Sequence, residues 1–235
     1  MDIAGSTILV TGANRGLGKA FVDEFVRRGA ERVYAGARDI ASVPKSDRVV
    51  PLHLDLLDAQ SIEQAARTAS DVTILVNNAG IDTRSSVLHS PLDRIRADFD
   101  TNAIGTLSVA RAFVPVIEAN GGGSILSVLS VLSWFAFPQH GAYCAAKAAS
   151  WSLTNSLRQE VADLGIAVTA LHMGYLDTDM TSGIDAPKTP PAAVAALAAD
   201  AIAAGDPEVL ADDISRHVRS ALSAPLDALY GQVVR

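Results

Sequence analysis

Short apolar runs alternating with longer amphipathic segments constrain this chain more than any other feature. The runs occupy residues 7–10, 32–35, 49–54, 73–76, 124–128 and 168–171, each bounded by Gly, Asn, Asp or Pro. Rich in Ile, Val and Leu, they read as strands covered on both faces. Between and after them lie residues 18–28, 58–69, 91–118, 142–164, 191–204 and 212–222, whose apolar residues recur at three- and four-residue steps, as amphipathic helices require. In 142–164 that face holds Ala148, Trp151, Leu153, Leu157, Val161 and Leu164, with Arg158 and Asp163 opposite. Parallel strands need long right-handed crossovers, so the alternation predicts an α/β fold, a doubly wound parallel sheet with helices on both faces. A sheet of this kind accommodates all 235 residues, so residues 1–235 are expected to form one domain.

Charge and composition narrow the function classes. A net charge of −7 disfavours nucleic acid and anionic membrane surfaces as partners. The first residues, Met1 to Ser6, carry no basic segment ahead of an apolar one, and Asp200 interrupts the Ala-rich stretch 191–204, which is shorter than the roughly 20 residues a bilayer needs. The lone cysteine, Cys144, has no internal disulfide partner, and no His/Cys cluster has metal-ligand spacing. The expectation is a cytoplasmic protein without a metal. Cys144 itself is expected to be a small buried hydrophobe.

The first strand runs directly into Thr11-Gly12-Ala13-Asn14-Arg15-Gly16-Leu17-Gly18, after which a helix begins. Glycines in that position permit a tight turn and let the backbone approach a pyrophosphate, which the helix N-terminus attracts. The second strand ends in Ala37-Arg38-Asp39. An acidic side chain there would hold the ribose 2′-hydroxyl of NAD; Ala37 leaves the place uncharged, while Arg38 and Arg15 are available to a 2′-phosphate. This favours NADP over NAD, although Asp39 offers a rival carboxylate for the ribose or for Arg38.

Tyr143-Cys144-Ala145-Ala146-Lys147 puts a phenol and an ammonium one helical turn apart. An ammonium and an oxidised nicotinamide nearby would favour the phenolate and bring proton exchange toward neutral pH. Ser130 precedes Tyr143 by thirteen residues, and Asn102 lies upstream in the long segment 91–118. Ser127 and Ser133 flank Ser130 at three-residue steps, so a slipped assignment is open at this point.

Together, the Gly-x-x-x-Gly-x-Gly turn, Asn77-Asn78-Ala79-Gly80 and the ordered Asn102, Ser130, Tyr143 and Lys147 resemble the short-chain dehydrogenase/reductase family, over a stretch from Thr7 to about Thr181. The resemblance implies a Rossmann-type sheet and an NADP-preferring carbonyl reductase or alcohol dehydrogenase acting on a small aldehyde, ketone or secondary alcohol. It implies that Tyr143 is the acid/base, Ser130 a hydroxyl donor to the substrate oxygen, Lys147 a ribose ligand that biases Tyr143, and Asn102 the holder of a water in the proton path. For the cofactor it implies Gly12, Asn14, Arg15, Gly16, Leu17, Gly18 and Arg38, then Asp55 and Leu56 near the adenine, Asn78, Ala79 and Gly80 beside the ribose, and Gly174 and Thr178 after the sixth strand. It further implies a homodimer or homotetramer built on the helices at 91–118 and 142–164, with Trp151 at a contact.

Two positions depart from the family pattern: Met173 stands where Pro is usual, and Leu129 where a second serine is common. The residues flanking the chemistry, Val131, Leu132, Trp134, Phe135, Phe137, His140, Tyr175 and Leu176, predict an apolar pocket wall with His140 at its polar edge. Two other readings share these residues: a non-catalytic NADP(H)-binding sensor, for which the ordered tetrad is superfluous, and a ketoacyl-thioester reductase, for which Arg94, Arg96 and Arg111 would have to serve an acyl carrier.

Overall fold

The computed structural model describes residues 1–231; the last four residues of the expected 1–235 domain lie outside the described residues. The strands are β1 (Thr7–Thr11), β2 (Arg32–Ala37), β3 (Val49–His53), β4 (Ile74–Asn77), β5 (Gly123–Val128), β6 (Ile166–His172) and β7 (Glu208–Leu210). They form one all-parallel sheet in the order β3-β2-β1-β4-β5-β6-β7. The helices are α1 (Gly16–Arg27), α2 (Ala59–Thr68), α3 (Leu92–Phe99), α4 (Thr106–Ala119), α5 (Gly141–Glu160), α6 (Pro191–Ala204), α7 (Asp213–Ala221) and α8 (Leu226–Tyr230).

Alternation along each strand feeds two cores, because successive side chains leave opposite faces of a sheet. Ile8 and Val10 of β1, with Ile74 and Val76 of β4, pack with Phe21 and Phe25 of α1 and with Val194, Ala198 and Ile202 of α6. Leu9 and Leu75 point the other way, toward Ile62 of α2 and Val109, Phe113 and Ile117 of α4. On the first face an ionic clamp joins α1 to α6: Arg28 donates to Glu24 and, at 2.6 Å, to Asp200, the residue that interrupts the Ala-rich stretch. Arg27 and Arg28 hold the Glu24 carboxyl down at about 2 against the cost of its burial.

Three expectations are corrected. The helix predicted over 91–118 is interrupted at Asp100–Gly105, a π-helical segment joining α3 to α4. Close approach to the loop after β3 accompanies this wider turn, since a Cβ on Gly105 would stand 2.9 Å from Leu56 Cβ. Within α5 the buried face is Ala142, Cys144, Ala146, Lys147, Ser150 and Thr154, whereas Trp151, Leu153 and Leu157 are half-buried. Small residues bring the helix close to its neighbours, and the larger apolar ones flank that contact, Trp151 against Trp134 and Leu153 and Leu157 toward α4. Arg158 is not on a solvated face: it donates to Val168 O at 3.0 Å and Pro207 O at 2.8 Å.

Candidate active site

The strand order reverses between β1 and β4, and a crevice opens at the carboxyl ends of strands beside such a switch point. Six of the site segments expected from the sequence follow these ends, the glycine turn after β1, Arg38 after β2, Asp55 after β3, residues 78–80 after β4, Ser130 after β5 and Gly174 after β6, while Asn102 comes from the π-helical segment and Tyr143 and Lys147 from α5.

Close backbone packing shapes the glycine turn. Gly12 has φ +64°, and a Cβ there would lie 3.0 Å from Ala79 Cα. A Cβ on Gly18 would fall 2.0 Å from Gly12 O, so only glycine lets α1 start so close to the turn. The loop after β4 ties itself to the same turn: the Thr11 hydroxyl accepts from Asn78 N and Ala79 N, each at 2.9 Å, and Asn78 Nδ2 donates to Thr11 O at 2.8 Å. Thr178 reaches Gly16 from the β6 side, its Cγ2 lying 3.4 Å from where a Cβ on Gly16 would be. No side chain caps the N-terminus of α1 and its first turn holds no acid. Its positive end is therefore free for an external anion, which fits the pyrophosphate of a dinucleotide.

The groups that decide between NAD and NADP surround this turn. Arg15 is 73% exposed and only 3.9 Å from Asp179, a weak surface pair that leaves the guanidinium available. Arg38 is exposed, and its carbonyl oxygen meets His53 Nδ1 at 2.9 Å. Asp39, the rival carboxylate, is exposed and caps the short turn after β2, its Oδ1 accepting from Ala41 N at 3.0 Å. Asp55 likewise turns its carboxylate to Leu57 N at 3.0 Å, next to half-buried Leu56.

The structure brings Ser130, Tyr143, Lys147 and Asn102 together. Ser130 ends β5 and caps the short turn Val131–Ser133, accepting from Leu132 N at 3.1 Å. The neighbouring serines are engaged elsewhere. Ser133 accepts from Ser130 N, and Ser127 lines a small cavity between α4 and α5, so it is Ser130 whose hydroxyl influences Tyr143.

Lys147 is buried and donates to Val128 O at 2.8 Å, with Nζ 5.7 Å from the centre of the Tyr143 ring. Burial lowers its pKa to about 8. A Cβ on Gly80 would come within 2.6 Å of Asn102 Oδ1 and 3.8 Å of Lys147 Nζ, so the glycine is what lets these groups converge. Asn102 sits in the π-helical segment and brackets Ile81, accepting from its N–H at 3.1 Å and donating to its C=O at 2.9 Å.

The phenolate expected at Tyr143 requires an oxidised nicotinamide beside the ammonium, and the groups of the protein alone act in the opposite direction. Loss of solvent and then the charge of Asp82 raise the Tyr143 phenol well above its ordinary value, and the Ser130 hydroxyl only partly offsets them. Without a cofactor the site therefore holds a protonated tyrosine, a proton donor rather than a phenolate.

Among the expected pocket residues, half-buried Leu132 and Tyr175 stand on the segments after β5 and β6. Trp134 is corrected: its ring stacks on buried His172 at 3.7 Å, meets Trp151 edge-on at 6.0 Å and carries Arg219 over it at 5.6 Å, so its indole belongs to packing around the end of β6. Met173, in the place of the usual Pro, buries its side chain in the α1/α6 core, and Gly174 N donates to Asp212 Oδ2 at 2.6 Å. Leu129 is buried, and Cys144 is buried with its sulfur accepting from Phe137 N. Sequence reasoning missed Asp82, whose only signal is a position two residues beyond Gly80; it pairs with His140 at 2.6 Å. Among the described residues no group of His, Cys, Asp or Glu is arranged to hold a metal ion, and no helix is long and apolar enough to cross a membrane.

Known proteins share this arrangement. The short chain dehydrogenase family matches residues 6–189. A dehydrogenase/reductase SDR family protein 7-like from Drosophila melanogaster is 32% identical over 195 residues, which are 77% of this chain; the chain spans 60% of that relative's length. A 3-oxoacyl-acyl-carrier-protein reductase from Vibrio harveyi is 30% identical over 193 residues, 79% of each chain. A short chain dehydrogenase from Burkholderia cenocepacia, solved in complex with NADP, superimposes with a TM-score of 0.95 at 33% identity, with 100% of both chains covered. The extent of that match, over a fold that brings each motif to one crevice, shows that this chain belongs to the short chain dehydrogenase family.

Proposed function

We propose that this protein is an NADP-dependent oxidoreductase, one domain that reduces the carbonyl of a small, largely apolar aldehyde or ketone, or oxidises the matching secondary alcohol. The observation that carries this reading is the convergence of Ser130, Tyr143 and buried Lys147 beside an uncapped helix N-terminus. When bound, the cofactor supplies the hydride. The remaining work falls to side chains of the chain itself. Tyr143, kept protonated, gives its proton to the carbonyl oxygen as negative charge develops there. Ser130 donates a hydrogen bond to the same oxygen. Lys147 takes a ribose hydroxyl, and Asn102 orders the Gly80–Ile81 backbone beside it.

Arg15 and Arg38 are the 2′-phosphate ligands, supported by the exposure of both side chains and by the absence of an acid at Ala37. The NADP held by the similar Burkholderia cenocepacia dehydrogenase supports the same preference. Gly12, Gly16 and Gly18 frame the pyrophosphate, with Thr178 closing the far side. Buried, unpaired Cys144 suits a reducing cytoplasm.

Ketoacyl thioester reduction is kept as a second reading because of the Vibrio harveyi relative. Arg94 supports it little, since its guanidinium is committed to Thr83 O. The test is consumption of NADPH, and in parallel NADH, by the purified protein against aldehydes, ketones and ketoacyl thioesters. Turnover with NADPH on simple carbonyls is expected. Preference for thioesters would move the substrate class, and tight NADPH binding without turnover on any carbonyl would replace the enzyme with a sensor.

A further inference from the structure

The loop after β4 and the turn into α5 meet beside Tyr143, and they hold two titratable side chains that the chemistry above does not use. Asp82 Oδ2 lies 2.6 Å from His140 Nδ1, with the histidine side chain 18% and the aspartate 13% exposed. The other oxygen, Oδ1, accepts from Arg84 N at 2.8 Å. The loop is buttressed from below, where buried Asp98 accepts from Thr83 N at 3.3 Å and from the Thr83 hydroxyl. An ionised carboxylate only accepts, so Nδ1 carries its proton toward Asp82 and the imidazole is fixed in orientation. Among the described residues His140 Nε2 has no hydrogen-bond partner, and it is not sealed from solvent.

His140 precedes Tyr143 by three residues, about one helical turn. Asp82 is near enough for its charge to bear on the Tyr143 phenol. The Phe137 ring, 6.1 Å from the imidazole, gives the pair an apolar flank.

We propose that Asp82 and His140 form a polar subsite of the carbonyl pocket, in which His140 Nε2 hydrogen-bonds a hydroxyl carried by the substrate close to its reacting carbon. Asp82 is the positioning residue that fixes the ring. A hydroxyl is the group that satisfies Nε2 whether the ring is neutral and accepts or is protonated and donates. A substrate carboxylate would meet the like charge of Asp82. An unsubstituted apolar ketone would leave Nε2 desolvated and unpaired, which a site built for hydrogen bonding penalises. The substrate class is thus a hydroxy ketone or the corresponding diol. This inference rests on the carbonyl-reductase reading of Tyr143.

The test compares kcat/KM with NADPH for 2-hydroxyacetophenone and for acetophenone, in the wild type, His140→Phe, His140→Leu, Asp82→Ala and Asp82→Asn. Comparing ratios between variants removes the intrinsic reactivity difference of the two ketones. The wild-type ratio is expected to exceed that of either His140 variant by roughly tenfold or more. Asp82→Ala should lose most of that excess through KM, whereas Asp82→Asn, with one acceptor oxygen left for both Nδ1 and Arg84 N, should retain more of it than Asp82→Ala. Equal ratios in the wild type and a folded His140 variant would overturn the subsite and leave the reductase standing. Should neither ketone be reduced, the reductase reading is decided on the wider carbonyl panel and the subsite by binding. Binding of 1-phenyl-1,2-ethanediol against 1-phenylethanol, measured by calorimetry with NADP present, then decides the subsite: a diol preference lost in His140→Phe supports it, and no such difference overturns it.

Discussion

Individual side chains carry both cofactor choice and proton chemistry. The end of β2 offers Arg38 where an acid would select NAD, so Arg38→Asp should shift preference toward NADH, read as the ratio of kcat/KM for the two cofactors; an unchanged ratio would remove Arg38 from the 2′-phosphate site. Lys147 has a folded pKa of about 8, below the ordinary 10.5. Between these values the unfolded chain binds a proton that the folded chain lacks, so stability rises with pH; below about 8 both states are protonated and the fold bears the cost of a buried ammonium. Relative to Lys147→Met, the wild type should therefore gain about 2 kcal/mol between pH 8 and pH 10 in urea unfolding. Parallel pH profiles would contradict the burial argument. The residues of this site were legible in the sequence because their family fixes them at strand ends and at one-turn spacing, where backbone geometry dictates side-chain position. Asp82 and the true setting of Trp134 were not, since both depend on loops meeting across the fold.

At the scale of elements, the glycine turn and α1 act as one unit. Gly18→Ala would place a Cβ 2.0 Å from Gly12 O and force the turn open. It is expected to cost about 1–3 kcal/mol in stability, as overpacking does, and to weaken NADPH binding at least about tenfold, checked by thermal unfolding and fluorescence titration. Unchanged NADPH affinity would detach the turn from the cofactor. Five of the strands were readable because burial on both faces demands continuous apolar runs, and β3 (Val49–His53), although an edge strand that exposes Val50 and His53, was readable from its Val, Pro and Leu. The seventh, Glu208–Leu210, is three half-buried residues pairing at the sheet edge, and so short a piece leaves no run to read. The buried face of α5 was misread for a different reason. Its closest approach uses Ala, Ser, Thr and Lys147, which a search for large apolar residues passes over.

Across the whole molecule, the strand ends of a single sheet and the helical segments carrying Asn102, Tyr143 and Lys147 meet at one crevice, and the α4/α5 flank keeps a half-buried apolar surface. Half-buried Leu153 and Leu157 on α5, which face Leu107 of α4, and exposed Ile104 just ahead of that helix lie on the α4/α5 flank on which we expect the homodimer or homotetramer to assemble, while Trp151, on another side of α5, packs edge-on against Trp134. Light scattering should report a dimer or tetramer that Ile104→Glu converts to smaller species; a monomeric wild type would contradict this assignment. The central claim is that Tyr143 delivers the proton while NADPH reduces a carbonyl. The most direct measurement of it sets Tyr143→Phe beside the wild type, recording NADPH oxidation with the best carbonyl of the panel and NADPH affinity by fluorescence titration. The expected result is an unchanged affinity with turnover reduced by about 10²-fold or more. A variant that binds NADPH and still turns over at the wild-type rate would contradict it.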